Sequence, residues 1–333
     1  MLNFTLIVTL AVVVLALIFD FINGFHDTAN SIATSVSTRV LSPRAAIIMA
    51  ATLNFLGAFI SVKVAKTVGA GIVSPESIPQ TVIIATLLGA IIWNLVTWYF
   101  GLPSSSSHAL MGGLLGAAIA FSGSFSIVNW LNFFEKVLLW LFLSPCIGFI
   151  VGFLFMNFLN FVLRSWRPAA VTKVFSKAQI ASAGLMALNH GGNDAQKSMG
   201  IITMALLSGG LIPQFDVPFW VKFACALAMA AGTSVGGWKI IKTMGVNMAR
   251  LAPVNGFAAE TGAAAVIFTA TMLHAPVSTT HIISTSIMGV GAAKRLTSVR
   301  WTVAKDIVWA WILTIPITAL LSGAIFLIIN MVI

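Results

Sequence analysis

A chain of 333 residues that is 59% hydrophobic and only 8% charged is not a soluble domain, in which about a quarter of residues carry charge. Its formal net charge of +10 does not describe a nucleic-acid binder, because the basic residues sit in short loops and at the ends of apolar runs, as they do in membrane proteins. Composition therefore predicts an all-α polytopic membrane protein in contact with lipid, built from apolar runs of roughly 20 residues.

Ten apolar segments follow one another along the chain. The first, about 4–24, has no basic stretch ahead of it and runs into a polar motif, so it reads as a retained span and not a cleaved leader. Asp20 and Asn23 lie near its end, and the motif Gly24-Phe25-His26-Asp27-Thr28-Ala29-Asn30-Ser31 follows. Segment two, about 43–65, contains Asn54 and ends in Lys63 and Lys66; segment three is about 81–101. Segment four, about 105–127, opens on Pro103-Ser104-Ser105-Ser106-Ser107-His108 and continues with small residues; segment five is about 137–163. A basic stretch with Arg164, Arg167, Lys173 and Lys177 comes next. Segment six, about 180–210, carries Asn189 and the motif Gly191-Gly192-Asn193-Asp194-Ala195-Gln196-Lys197-Ser198. Segments seven to ten are about 218–240, 254–273 with Glu260, 276–293 opening on Pro276-Val277-Ser278-Thr279-Thr280-His281, and 302–332. Cys146 and Cys225 lie in apolar runs as small packing residues and carry no redox information.

The two halves repeat. Lys63-Val64-Ala65-Lys66-Thr67-Val68-Gly69 matches Lys239-Ile240-Ile241-Lys242-Thr243-Met244-Gly245 at an offset of 239 − 63 = 176, and the two Pro-hydroxyl-His openings match at 278 − 105 = 173. The expected organisation is a first repeat over 1–163, a basic cytoplasmic linker over 164–179 and a second repeat over 180–333. Five crossings per half is an odd number, so the repeats are expected to be inverted. Placing the linker in the cytoplasm puts both termini outside and most lysines and arginines inside; Lys63 and Lys66 are the misfits. Inverted repeats with polar, broken segments are a design of secondary transporters, which bind substrate near the midplane between repeats. Proline followed by hydroxyls makes a poor helix interior and a good helix start. Helix breaks are therefore expected at segments four and nine, as re-entrant hairpins or interrupted spans, giving 10–12 helical segments in all.

The polar motifs suggest two kinds of site. Helix N-termini bearing Ser105, Ser106, Ser107 and Ser278, Thr279, Thr280 present free N–H groups and neutral donors to an anion. Asp27 with Asn30, and Asp194 with Asn193, supply the hard oxygen atoms that suit a cation such as sodium. Asn23, Asn189, Gln196 and Glu260 are secondary candidates for the ion pathway. His108 and His281, which recur with the repeat, are read as residues that lock the backbone by hydrogen bonding. A carboxylate at membrane depth costs about 3 kcal/mol on insertion scales, and two of them would repel an anion by roughly 3 kcal/mol each at about 6 Å. Bound cations would remove that repulsion, which is the logic of symport. No enzyme cofactor is expected.

On these residues the chain resembles the PiT family of inorganic phosphate transporters, most closely in Gly191-Gly192-Asn193-Asp194 and Pro276-Val277-Ser278-Thr279-Thr280-His281. The resemblance covers about residues 15–330 outside the linker. It implies sodium- or proton-coupled phosphate uptake, a homodimer, and residence in the cell (inner) membrane. Some relatives carry sulfate, so the anion stays open, as does the coupling ion. The chain departs from the family pattern at His26, where Asn is usual, at Gln196, and at Lys197, which stands where the first motif has Asn30. Animal members carry a glutamate where Asn54 stands. A passive channel is a further reading, although paired carboxylates at broken segments favour alternating access. An intramembrane hydrolase using Ser, His and Asp is disfavoured, because no nucleophile elbow is present and the serine clusters recur symmetrically.

Overall fold

Lipid offers no partner to a backbone N–H or C=O, so a chain this apolar can satisfy its backbone only within helices or closed barrels. The computed structural model describes residues 4–332 and takes the helical solution. In the first half, α1 (Phe4–His26) breaks at Asp27 into α2 (Thr28–Ser37), followed by α3 (Pro43–Gly57), α4 (Lys63–Ala70), α5 (Gln80–Phe100), α6 (Ser106–Ser122), the short α7 (Trp130–Phe133) and α8 (Leu139–Val162). The second half has α9 (Pro168–Ser208), α10 (Phe219–Val235), α11 (Trp238–Lys242), α12 (Pro253–Met272), α13 (Thr279–Lys294) and α14 (Trp301–Val332). Among the described residues, four helices are long and apolar enough to cross a membrane, and a fifth is counted if α10 and α11 form one bent span. The remaining segments are shorter, or carry polar residues buried against protein.

The helices that open segments four and nine start where the hydroxyl runs predict. Helix α5 closes at Gly101, whose φ of +68° is left-handed. Residues 102–105 are not helical, and α6 starts at Ser106 with the Ser105 hydroxyl accepting from the His108 N–H at 3.2 Å. The second half repeats this arrangement. Ser278 caps α13 by accepting from the His281 N–H at 3.2 Å, just after His274 turns the chain with a φ of +62°.

Two breaks were not expected. Segment two divides into α3 and α4. Segment seven bends by 64° between α10 and α11, at Gly236-Gly237, where Gly236 has a φ of +77°. The linker also differs from a loop. Only the stretch up to Arg167 is non-helical, because Pro168 is well placed at the first position of a helix and α9 runs from it for 41 residues.

Some local features occur twice. An isolated antiparallel bridge joins Val73 to Val128, and another joins Ala249 to Val299. The Asn129 N–H donates to Ile72 O at 2.8 Å, and the Arg300 N–H donates to Met248 O at 3.0 Å. Trp130 Nε1 donates to Phe125 O at 2.7 Å, and Trp301 Nε1 to Leu296 O at 2.8 Å. The halves interleave: α6 packs on α14, α13 on α8, α1 on α10 and α3 on α9. Small residues allow these close crossings. A Cβ at Gly116 would run into the backbone of Ala319, and one at Gly191 into the backbone of Asn54.

Candidate functional site

Asp27 sits at the break between α1 and α2. Its N–H donates to Asn23 O at 2.8 Å, and its own carbonyl accepts from the Asn30 N–H at 2.9 Å. One turn into α2, Asn30 Nδ2 donates to Thr279 Oγ1 at 3.2 Å and to Thr280 Oγ1 at 3.0 Å. The first aspartate motif is thereby tied to the N-terminus of α13. The second motif lies in the uninterrupted α9. There Lys197 Nζ donates to Asp194 Oδ1 at 2.5 Å, while Asp194 Oδ2 accepts from Thr279 Oγ1 at 3.3 Å and faces His190 Nε2 at 3.4 Å. Asp27, His190 and Asp194 each offer a ligand atom, and these atoms lie within 4.8 Å of one another. All of these residues are buried.

The N-termini of α6 and α13 meet at the same centre. Ser107 Oγ donates to Val277 O at 3.1 Å, and the His108 and His281 rings have centroids 4.9 Å apart. His281 also stacks on Trp311, whose Nε1 donates to Pro103 O at 2.9 Å, so the two non-helical approaches are locked together. Ser105, Ser106, Ser107, Ser278, Thr279 and Thr280 are each at most 2% exposed. Free N–H groups and hydroxyls therefore stand beside two carboxylates: the first set suits an anion, the second a hard cation. Asn30 Oδ1 and Asn193 Oδ1 have no hydrogen-bond partner among the described residues, which leaves two amide oxygens able to ligate a cation. Asn193 itself is held by its Nδ2, which donates to Thr271 Oγ1 at 2.8 Å.

The secondary candidates are spread more widely. Gln196 Oε1 accepts from the N–H groups of Val64 at 2.8 Å and Ala65 at 3.3 Å, so it caps α4. Asn189 donates to Leu185 O at 2.9 Å and lines an apolar groove with Ile60 and Phe268, away from the carboxylates. Glu260 accepts from Thr34, Ser182 and Gln179 and ties α2, α9 and α12 together. The side chains of Asn23 and Asp20 are fully buried on α1, and the Asp20 carboxylate faces Ser198 and Lys197 of α9.

Sequence reasoning gave no site role to several neighbours of the carboxylates, although it singled out His26 and Asn54 as departures from the family pattern. His190 Nδ1 lies 3.2 Å from Asn54 Oδ1, and Asn54 Nδ2 donates to Thr233 Oγ1 at 3.0 Å. His26 Nδ1 is 2.6 Å from Asp27 Oδ1, and its Nε2 is 3.1 Å from Thr97 Oγ1, which accepts from Ser104 at 2.8 Å. A lone histidine just before the second motif was the available signal for His190. Thr97 had none, because its importance comes from the parallel register of α1 and α5, also seen where Gln80 donates to Thr9.

Among the described residues, lysines and arginines line two cavities. One, of about 400 Å³, is lined by Lys63, Lys66, Lys136, Asp216 and His274. His274 leads directly into the approach to α13. The other, of about 300 Å³, is lined by Arg250, Lys294 and Arg300.

The model of the phosphate transporter family PHO4 matches residues 23–322. The chain belongs to this family. It is 51% identical over 330 residues to a probable low-affinity inorganic phosphate transporter of Bacillus subtilis, covering 98% of each chain. It is 50% identical to one from Rhizobium meliloti, covering 97% of this chain and 96% of the relative. A solved structure described as the sodium-dependent phosphate transporter superposes with a TM-score of 0.87 at 26% identity, covering 98% of this chain and all of the other. As a family member the chain is an integral membrane transporter of phosphate and not an enzyme.

Proposed function

We propose that this protein takes up inorganic phosphate by symport with sodium, through alternating access at a site between two inverted repeats, 1–163 and 180–333. The observation that carries the reading is the junction at Thr279. Its hydroxyl is within hydrogen-bond reach of both Asn30 and Asp194, and it belongs to the N-terminus of α13. Anion donors and cation ligands therefore share one residue, and occupancy of one sub-site changes the electrostatics of the other. Phosphate would be held by Ser105, Ser106, Ser107, Ser278, Thr279 and Thr280 with the N–H groups of α6 and α13. Sodium would be held by Asp27, Asn30, Asn193 and Asp194, with the amide oxygens of Asn30 and Asn193 completing the carboxylate set.

The paired bridges and tryptophan hydrogen bonds support the repeat reading. The sodium-dependent function named for the structural neighbour supports the coupling ion. The lysine-lined cavity would serve as the outer approach for phosphate, which gives Lys63 and Lys66 a function in place of a topological misfit. The distribution of lysine and arginine supports termini on the outside of the inner membrane. A homodimer rests on the family resemblance alone.

The deciding assay is radiolabelled phosphate uptake into proteoliposomes with and without an inward sodium gradient, in the presence of excess unlabelled sulfate. Sodium-dependent uptake that resists sulfate is the expected result. Uptake driven only by a proton gradient would refute sodium coupling, and the contact of His26 with Asp27 is the feature that would then carry the coupling. Strong competition by sulfate would refute the choice of anion.

A further inference from the structure

We propose that the Lys197 ammonium is a tethered cation that replaces a second sodium, so that phosphate binds together with one sodium ion instead of two. The inference rests on the sodium-symport reading and refines its Asp194 side. The two motifs align as Gly24, Asp27, Asn30 with Gly191, Asp194, Lys197, each pair separated by 167 positions (191 − 24, 194 − 27, 197 − 30). Asn30 and Lys197 are therefore counterparts. Asn30 keeps an unpartnered amide oxygen that can ligate a cation. Lys197 has three donors and no acceptor, so it cannot ligate one.

Lys197 instead occupies Asp194 directly. Its Nζ lies 2.5 Å from Asp194 Oδ1, and both side chains are at most 1% exposed. The other oxygen of Asp194 is shared between Thr279 and His190. A second sodium would have to displace a covalently attached cation and sit beside its charge. A buried ion pair gains little stability over a well-packed apolar pair, so fold stability gives no reason to keep a lysine in the binding centre. Charge compensation does. The ammonium compensates the Asp194 carboxylate, with the buried Asp20 also near it, and the free sodium is left to the Asp27 side with Asn30 and Asn193.

The test is equilibrium binding of radiolabelled phosphate to the purified full chain across sodium concentrations, with choline holding ionic strength constant. By linkage, the slope of log affinity against log sodium counts the sodium ions taken up with phosphate. We expect a slope of about one for the wild type, about two for Lys197→Asn, and about one for Lys197→Arg. A wild-type slope of about two overturns the proposal without need of any variant. An unchanged slope in Lys197→Asn with affinity lowered by a constant factor also overturns it, and would make Lys197 a direct phosphate contact. A wild-type slope near zero would refute the sodium reading, and the increment of one in Lys197→Asn would still decide whether the lysine stands in for a cation.

Discussion

Neutralising Asp27 as Asp27→Asn should uncouple phosphate binding from sodium. The ligand atoms of Asp27 and Asp194 lie within 4.8 Å of each other, and Thr279 Oγ1 is 3.3 Å from Asp194 Oδ2. An anion hydrogen-bonded to Thr279 then lies close to both carboxylates, and taking a separation of about 6 Å, one unit-charge pair costs about 3 kcal/mol at an effective dielectric of about 20. Lys197 already offsets the Asp194 share, so the repulsion left for sodium to cancel comes from Asp27. An energy of about 3 kcal/mol corresponds to a little over a hundredfold in affinity. In sodium-free buffer, Asp27→Asn should therefore bind phosphate about a hundredfold more tightly than the wild type, and added sodium should change its affinity little. Uptake coupled to a sodium gradient should be lost. The assay is the same phosphate-binding titration, with size-exclusion chromatography to establish that the variant is folded. If Asp27→Asn kept the sodium dependence of the wild type, the electrostatic argument would be refuted and the cation site would have to lie elsewhere.

Other substitutions separate the parts of the site. Ser105→Ala with Ser278→Ala removes two N-caps, each worth about 1 kcal/mol to its helix. It should weaken phosphate binding about tenfold or more while sodium binding stays nearly unchanged; the reverse pattern in paired binding titrations would mean that the two sub-sites are exchanged. Glu260→Ala leaves Thr34, Ser182 and Gln179 without their shared acceptor, at about 1–3 kcal/mol for each donor left unpaired. Its thermal unfolding should shift down clearly, with Glu260→Gln much less affected. Full stability combined with lost uptake in Glu260→Ala would place Glu260 in the ion pathway instead. Replacing Lys63, Lys66 and Lys136 by Gln should raise the KM for phosphate several-fold at low salt and leave kcat alone, with the difference fading as salt shortens the screening length from about 10 Å at 0.1 M. A KM indifferent to these substitutions at low salt would show that the lysine cavity is not on the route.

Where chemistry was concentrated in a short motif, the sequence was readable. The serine and threonine runs after proline announced two helix starts, and both are capped by the expected residues, Ser105 and Ser278. The aspartate motifs stood out because an apolar chain tolerates buried carboxylates only where something compensates them. What stayed hidden depends on packing between distant elements. Nothing local to Thr97 or Asn54 shows that each will reach a histidine of another helix. The break after α3 falls inside a mostly apolar run, so periodicity gave no warning, whereas the Gly236-Gly237 pair after α10 was a breaker signal left unread. Gln196 looked like a ligand because it lies in the motif, yet a helix start on α4 with free N–H groups took its side-chain oxygen first.

The two aspartate motifs differ at their carboxylates. In the first half the helix breaks at Asp27 and the chain resumes as α2. In the second, α9 passes through Asp194 without interruption. Both carboxylates are buried and need a side-chain partner; at Asp194 it is Lys197, three residues further along the same helix. Asp27 has the His26 ring in place of a lysine, with Nδ1 2.6 Å from Oδ1, and the Asn30 carboxamide oxygen beside it is unspent. On the sodium-symport proposal, the exchangeable cation then belongs on the Asp27 side, while Lys197 supplies a fixed charge at Asp194.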